Sequence, residues 1–230
     1  MHENSYRLHF ARTRKPGTTA VMTKILSAVR LYAGLIPFGF FVLNRNAPGQ
    51  FVVDTPSGTT VDLGCACTLQ VDDSGAGVVR TSLGWVGFKL NGREAFIPAG
   101  AVAGIRPKIG PGTPYFDDAS AKFRSALARF DFDDNTPQMR ARDLLIVLDE
   151  ARNRDTLTLW HLLGRTEAPQ RALVYRKLAE FVPPPAGVTE EGILRLDSSM
   201  MDRWWNELGF DDIAVWRRWE RNWSGAGSAK

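Results

Sequence analysis

The amino-acid sequence predicts an α+β fold in which an antiparallel or coiled β-sheet lobe is followed by an all-helical lobe. From Phe51 to about Arg106, short runs rich in β-branched and aromatic residues follow one another with only turn residues between them. After Pro114 the apolar residues recur at three- and four-residue spacing, which indicates helices. With 230 residues, 44% of them hydrophobic, the chain is long enough to bury a sizeable core.

Six runs in the first lobe are predicted as strands. The strongest turn signal between them is Asn91–Gly92, because a two-residue hairpin turn requires positive φ angles that Asn and Gly tolerate. Consecutive strands without intervening helices predict a meander, a sandwich or a coiled sheet. The predicted strands are Phe51–Thr55, Thr59–Val71, Gly77–Ser82, Trp85–Leu90, Arg93–Pro98 and Val102–Arg106.

The two cysteines, Cys65 and Cys67, stand two residues apart in an alternating strand. A disulfide between such neighbours would strain the backbone, and the sequence holds too few other Cys and His residues for a four-coordinate zinc site. We interpret both as small buried residues, with a soft-metal or redox role as the alternative. Period-two alternation predicts one shared face for Val61, Leu63, Cys65, Cys67, Leu69 and Val71.

The proline-rich stretch 106–118 is predicted to connect the two lobes, because it neither continues a strand nor begins a helix before Pro114. The sequence thus divides into a β domain over residues 47–108, a helical domain over 109–223 and a polar, disordered tail over 224–230. Six helices are predicted: from Asp117 through Phe130, from Pro137 through Leu148, from Asp155 to Gly164, Ala168–Val182, from Thr189 to Leu208, and from Asp211 through Trp223.

The N-terminal part of the chain is basic and then apolar. Residues 1–46 carry seven Lys or Arg against the single acid Glu3, whereas residues 47–230 carry 22 bases and 24 acids. A basic tail over residues 1–24 before an apolar segment over 25–46 points to a membrane rather than to nucleic acid. We expect an anchor in the inner membrane with residues 47–230 in the periplasm. A cleaved signal peptide, or a buried strand including Phe40 to Leu43 in a soluble protein, is the alternative.

Few residues in the sequence are candidates for chemistry. Trp216, Trp219 and Trp223 recur at helical spacing and are predicted either to close the helical core or to bind a partner. His161 has no nucleophile signal beside it and is interpreted as structural. No nucleotide-binding, hydrolase or metalloprotease motif occurs in the sequence. We therefore predict no catalytic residue, no cofactor and no metal, and the mildly acidic body argues against nucleic acid.

Residues 51–107, FVVDTPSGTTVDLGCACTLQVDDSGAGVVRTSLGWVGFKLNGREAFIPAGAVAGIRP, resemble the FecR family of bacterial envelope regulators. The later stretches GPGTPYFDDAS, DTLTLWHLLGR, PPPAGVT and MDRWWNELG resemble a helical extension found in a subgroup of that family, so the resemblance covers about residues 47–210. The positions that match the family pattern are Val53, Thr55, Pro56, Gly64, Gly84, Val86, Pro98 and Gly100.

The resemblance implies a FecR-like β domain in the periplasm, tethered by one membrane helix. In the family, this domain senses the ligand-loaded state of a transporter, such as a TonB-dependent transporter, and relays it to a sigma factor through a cytoplasmic N-terminal segment. Two departures matter: about 24 residues precede the apolar run here, and the strands expected before Phe51 are replaced by the basic tail and residues 25–46. The chain is therefore expected to be N-terminally shortened.

Three hypotheses follow for function. The first is a non-catalytic, FecR-like envelope protein that takes part in signal sensing and in regulation of sigma-factor-dependent transcription through protein–protein contacts. The second is a structural or scaffold module that uses its aromatic helical lobe for assembly. The third is an enzyme, which would require His161 to meet Asp155 or Glu150 in a pocket.

Overall fold

The computed structural model describes residues 7–10, 39–43, 51–55, 58–62, 66–72, 74–90, 92–214 and 217, with side chains from Cys67 onward. Two compact units divide the chain between Gly112 and Thr113. The first contains antiparallel strands and the second consists mainly of helices. The predicted α+β class with antiparallel pairing is therefore confirmed.

Eleven short strands are present in the described residues. Ten of them belong to the first unit, which we call the β unit, and the two-residue strand β11 belongs to the second. The strands are β1 (Arg7–Phe10), β2 (Gly39–Leu43), β3 (Phe51–Thr55), β4 (Gly58–Asp62), β5 (Ala66–Val71), β6 (Gly77–Leu83), β7 (Trp85–Leu90), β8 (Arg93–Pro98), β9 (Ala101–Arg106), β10 (Gly110–Pro111) and β11 (Tyr115–Phe116).

The strands of the β unit form two antiparallel sheets. One sheet has the order β1-β3-β4-β7-β8, and the other has the order β10-β9-β6-β5-β2. Leu90 pairs with Arg93, so the β7–β8 hairpin has the predicted two-residue loop, and Gly92 has a φ of 77°. The hairpin prediction is confirmed.

The predicted strand Thr59–Val71 is wrong as a single element. Residues up to Asp62 pair with β7 in one sheet, whereas residues from Ala66 pair with β6 in the other. The shared face predicted from Val61 to Val71 is therefore limited to β5, where Cys67, Leu69 and Val71 are each at most 2% exposed. Cys65 and Leu63 lie outside the described residues. The alternation of apolar and other residues continues without interruption from Val61 to Val71. The sequence pattern therefore gives no sign that the chain passes from one sheet to the other.

The second unit, which we call the helical unit, contains six α-helices and one 3-10 turn in its described part. Ser120 and Thr136 cap the first two helices, accepting hydrogen bonds from the backbone N–H groups of Phe123 and Met139. The helices are α1 (Ala121–Phe132), α2 (Pro137–Glu150), α3 (Thr156–Leu163), α4 (Ala168–Phe181), α5 (Glu190–Leu194) and α6 (Ser198–Glu207), with the 3-10 turn at Asn153–Asp155.

The fifth predicted helix is two helices. Leu196 has a φ of 58°, which no α-helix contains, and it separates α5 from α6. The side chain of Asp197 then accepts a hydrogen bond from the N–H of Met200 and begins α6 as its N-cap. The apolar spacing continues across this break, which explains why periodicity predicts one helix.

The core of the helical unit is aromatic and aliphatic. Trp204 and Trp205 of α6 are at most 2% exposed, and Phe123 and Phe130 of α1 are 1% exposed. Every residue of α3 is buried, because this helix packs on all sides. The helix predicted to begin near Asp211 is described only up to Ala214 and at Arg217.

The apolar segment 25–46 is described only at Gly39–Leu43. These five residues form β2, which pairs antiparallel with β5 in a register that joins Phe41 to Leu69. The strand of the alternative interpretation is therefore present at these residues, and the rest of the segment lies outside the described ranges. Among the residues that the structure describes, no helix combines the length and the apolar composition required to cross a bilayer.

Candidate functional site

The three tryptophans predicted to bind a partner, Trp216, Trp219 and Trp223, lie outside the described residues. The chain that leads to them is attached to α6. Ile213 is 5% exposed, and the indole N–H of Trp205 donates to the carbonyl of Asp211 at 3.0 Å. The guanidinium of Arg217 donates to Asp202 from Nε at 3.1 Å and from Nη2 at 2.9 Å. The beginning of the predicted last helix is therefore fixed to the helical unit.

His161 lies inside the helical unit between aromatic rings. Its ring centroid is 5.2 Å from that of Trp160 and 5.9 Å from that of Trp205, both edge to face. Its Nδ1 is 2.8 Å from the carbonyl oxygen of Leu157, so the proton on this nitrogen is donated one helical turn back. Burial, followed by the positive charge of Arg165, lowers the pKa of His161 to about 3. The imidazole is therefore neutral at neutral pH, as expected of a structural histidine.

A buried ion pair lies close to this histidine. Arg165 donates from Nη1 to Asp131 at 3.3 Å, and both side chains are less than 10% exposed. Asp131 also accepts hydrogen bonds from the backbone N–H of Thr113 at 2.6 Å and from its hydroxyl at 3.0 Å. The carboxylate thus joins the beginning of the helical unit to the turn that follows α3.

The two carboxylates considered as alternative partners of His161 in an enzyme, Asp155 and Glu150, are bound to cations. Asp155, fully buried, accepts hydrogen bonds from Nε of Arg152 at 2.8 Å and from Nη2 at 3.0 Å. Glu150 accepts from Lys122 Nζ at 2.9 Å and from the Ser120 hydroxyl at 2.7 Å, and these contacts lower the pKa of Glu150. Each carboxylate therefore links side chains at the ends of neighbouring helices, which is a structural role.

Arg171 makes a partly buried contact that sequence reasoning missed. Its guanidinium donates to three backbone carbonyls: that of Leu163 at the end of α3, that of Thr166 just after it, and that of Leu194 at the end of α5. Because the last carbonyls of a helix have no helical partner, one guanidinium satisfies the ends of two helices. Burial lowers the pKa of this group. No sequence signal distinguishes Arg171 from the exposed Arg176 on the same helix.

The positions that carry the FecR resemblance include turns of the β unit. Gly84, between β6 and β7, has a φ of 66°, and Gly100, between β8 and β9, has a φ of 82°. These two turns meet: the Ala99 N–H donates to the Gly84 carbonyl at 3.0 Å, and the Gly100 N–H donates to the Thr81 carbonyl at 2.8 Å. Val86 beside them is fully buried. Residues with a Cβ rarely adopt these φ values, which explains glycine at both positions.

No metal centre is present in the described part of the chain. No group of three or more His, Cys, Asp or Glu side chains there is arranged to hold an ion. Cys67 is buried with a free thiol, and its neighbour Cys65 is not among the described residues. No protein-family model, characterised protein or solved structure matches this chain.

Proposed function

We propose that the chain is a non-catalytic, FecR-like protein of the bacterial envelope that takes part in signal sensing and in regulation of sigma-factor-dependent transcription through protein–protein contacts. The observation that carries the proposal is the agreement between the family-like sequence positions and the turns of the β unit. Gly84 and Gly100 both adopt positive φ angles, and their turns are hydrogen-bonded to each other. Pro98 and Val86 lie in the strands that these turns join.

The sheet edges supply a route for partner contact. A strand at the edge of a sheet offers backbone N–H and C=O groups to an added strand. The terminal strand β8 is closed to such addition, because Ala95, Phe96 and Ile97 are at most 1% exposed, backbone included. Among the described strands, β1 and β2 are the terminal strands at the other ends of the two sheets. We therefore propose that a partner strand adds at one of these two edges, with β2 as the first candidate.

Site-specific photo-crosslinking in the native host tests this proposal. A photoreactive residue replaces Val42 in β2 of the full chain, and a matched control replaces the exposed Arg124 on α1. We expect an envelope protein, such as a TonB-dependent transporter, to crosslink to position 42 and not to position 124. Crosslinks to cytoplasmic proteins alone, or to position 124 equally, would contradict the proposal.

The tryptophans of the last predicted helix are the second proposed contact. Trp219→Asp is expected to leave the circular dichroism and the unfolding midpoint of the full chain unchanged and to abolish capture of the partner. Trp204→Asp is the matched control, because Trp204 is fully buried and its replacement by a charge should unfold the helical unit. Loss of folding in both variants would assign Trp219 to the core instead. If the natural chain captures a partner but Trp219→Asp leaves signal-dependent transcription unchanged, the scaffold alternative is favoured.

A further inference from the structure

His161 is enclosed by residues that exclude water from its ring. The residue is 5% exposed, and the rings of Trp160 on its own helix and of Trp205 on α6 pack against it. These two tryptophans also contact each other, with centroids 4.7 Å apart. The imidazole is therefore part of the packing that holds α3 and α6 together.

The charges around His161 do not favour a second cation. Arg165, one helical turn after His161, carries a positive charge, and Asp131 from α1 carries the negative charge that pairs with it. From α6, the uncharged indole of Trp205 packs edge to face against the imidazole. A proton added to His161 would place two cations beside one carboxylate in a region that water does not reach, which is unfavourable.

We propose that His161 is an acid-sensitive latch of the helical unit, whose protonation separates α3 from α6. A neutral imidazole completes the aromatic packing and donates to the carbonyl of Leu157. An imidazolium in the same place requires solvation, which only opening of the unit provides. Mild acid therefore weakens the helical unit selectively, since this histidine belongs to that unit.

The direction and size of the effect follow from proton linkage. The pKa of His161 is about 3 in the folded chain against 6.5 for the free side chain. Between these values the unfolded chain binds the proton and the folded chain does not, so stability falls as the pH falls. The equilibrium constant for unfolding is expected to rise about 30-fold between pH 7.5 and pH 5.0 from this group alone. Ordinary Asp and Glu carboxylates titrate near pH 4, so most of their contribution comes at lower pH.

Urea unfolding of the full chain at pH 7.5 and pH 5.0 tests the latch. Tryptophan fluorescence follows the helical unit, because Trp160, Trp204 and Trp205 are buried in it. We compare the natural chain with His161→Phe, which keeps an aromatic ring without a titrating nitrogen, and with His161→Gln. His9→Gln is the matched control for a histidine in the other unit.

The natural chain and His9→Gln are expected to show the roughly 30-fold change, and both His161 variants are expected to show less than a threefold change. An equal pH dependence in all four proteins would overturn the proposal. If neither His161 variant folds, the pH dependence of unfolding of the natural chain alone tests the proposal. Proton uptake on unfolding that rises from about half a proton at pH 6.5 to about one at pH 5.0 supports the latch, and uptake near zero over this range refutes it.

Discussion

The hydroxyl of Thr81 is a buried polar group that lacks a hydrogen-bond partner in the described structure. The residue is 3% exposed. It faces Cys67 across the β5–β6 pair, on the buried side of the sheet. A buried polar group without a partner costs about 1–3 kcal/mol. Thr81 therefore lowers the stability of the β unit, although its shape fits the core.

Thr81→Val is expected to stabilise the chain by about 1 kcal/mol, since valine has the same shape and no hydroxyl. Thr158→Val is the matched control, because the hydroxyl of Thr158 donates to the carbonyl of Pro114 at 2.7 Å. That change should destabilise by about 1–2 kcal/mol. The unfolding midpoint in urea measures both. A loss of stability in Thr81→Val would mean that its hydroxyl is hydrogen-bonded.

Arg171 allows a second prediction about a single residue. Arg171→Met removes a guanidinium that binds three backbone carbonyls, while the hydrophobic stem is retained. The free energy of unfolding should fall by about 1–3 kcal/mol, because three carbonyls in a partly buried site lose their donor. Arg176→Met, on the exposed side of the same helix, should change it by less than about 0.5 kcal/mol. Equal effects of the two changes, measured by urea unfolding, would contradict this role for Arg171.

Among the secondary-structure elements, those with strong local signals were predictable. The Asn91–Gly92 hairpin and the Thr136–Pro137 helix start occur where the sequence predicts them. The break between α5 and α6 was missed, because Leu196 with a positive φ has no sequence signature and the apolar spacing continues through it. The passage from one sheet to the other after Asp62 was also missed, because the apolar alternation continues through it. In both places the chain changes direction without changing its hydrophobic pattern.

The N-cap of α6 gives a prediction about that break. Asp197→Ala removes the side-chain acceptor for the Met200 N–H and should lower the free energy of unfolding by about 1 kcal/mol. Asp197→Ser keeps an acceptor at the cap and should stay within about 0.5 kcal/mol of the natural chain. Urea unfolding followed by circular dichroism distinguishes the two. If Asp197→Ala were as stable as Asp197→Ser, the break would depend on other contacts.

For the whole molecule, the sequence predicted the α+β class but not the buried polar contacts. Arg165 and Asp131 are 34 residues apart, and Thr158 and Pro114 are 44 apart, so tertiary folding alone brings them together. His161, interpreted from the sequence as structural, is buried in the helical unit. Its position beside Arg165, on which the acid-sensitive latch depends, required the three-dimensional arrangement. Local patterns identify elements, and contacts between elements determine the chemistry of a site.

The central proposal is that the chain is an envelope protein with residues 47–230 in the periplasm. The most direct test is the protease accessibility of a C-terminal tag on the full chain in its native host. Protease is added to cells whose outer membrane has been permeabilised and whose inner membrane is intact, with a cytoplasmic protein as the control for lysis. We predict that the tag is digested while the cytoplasmic control stays intact. A tag that is protected until the inner membrane is lysed would contradict the proposal.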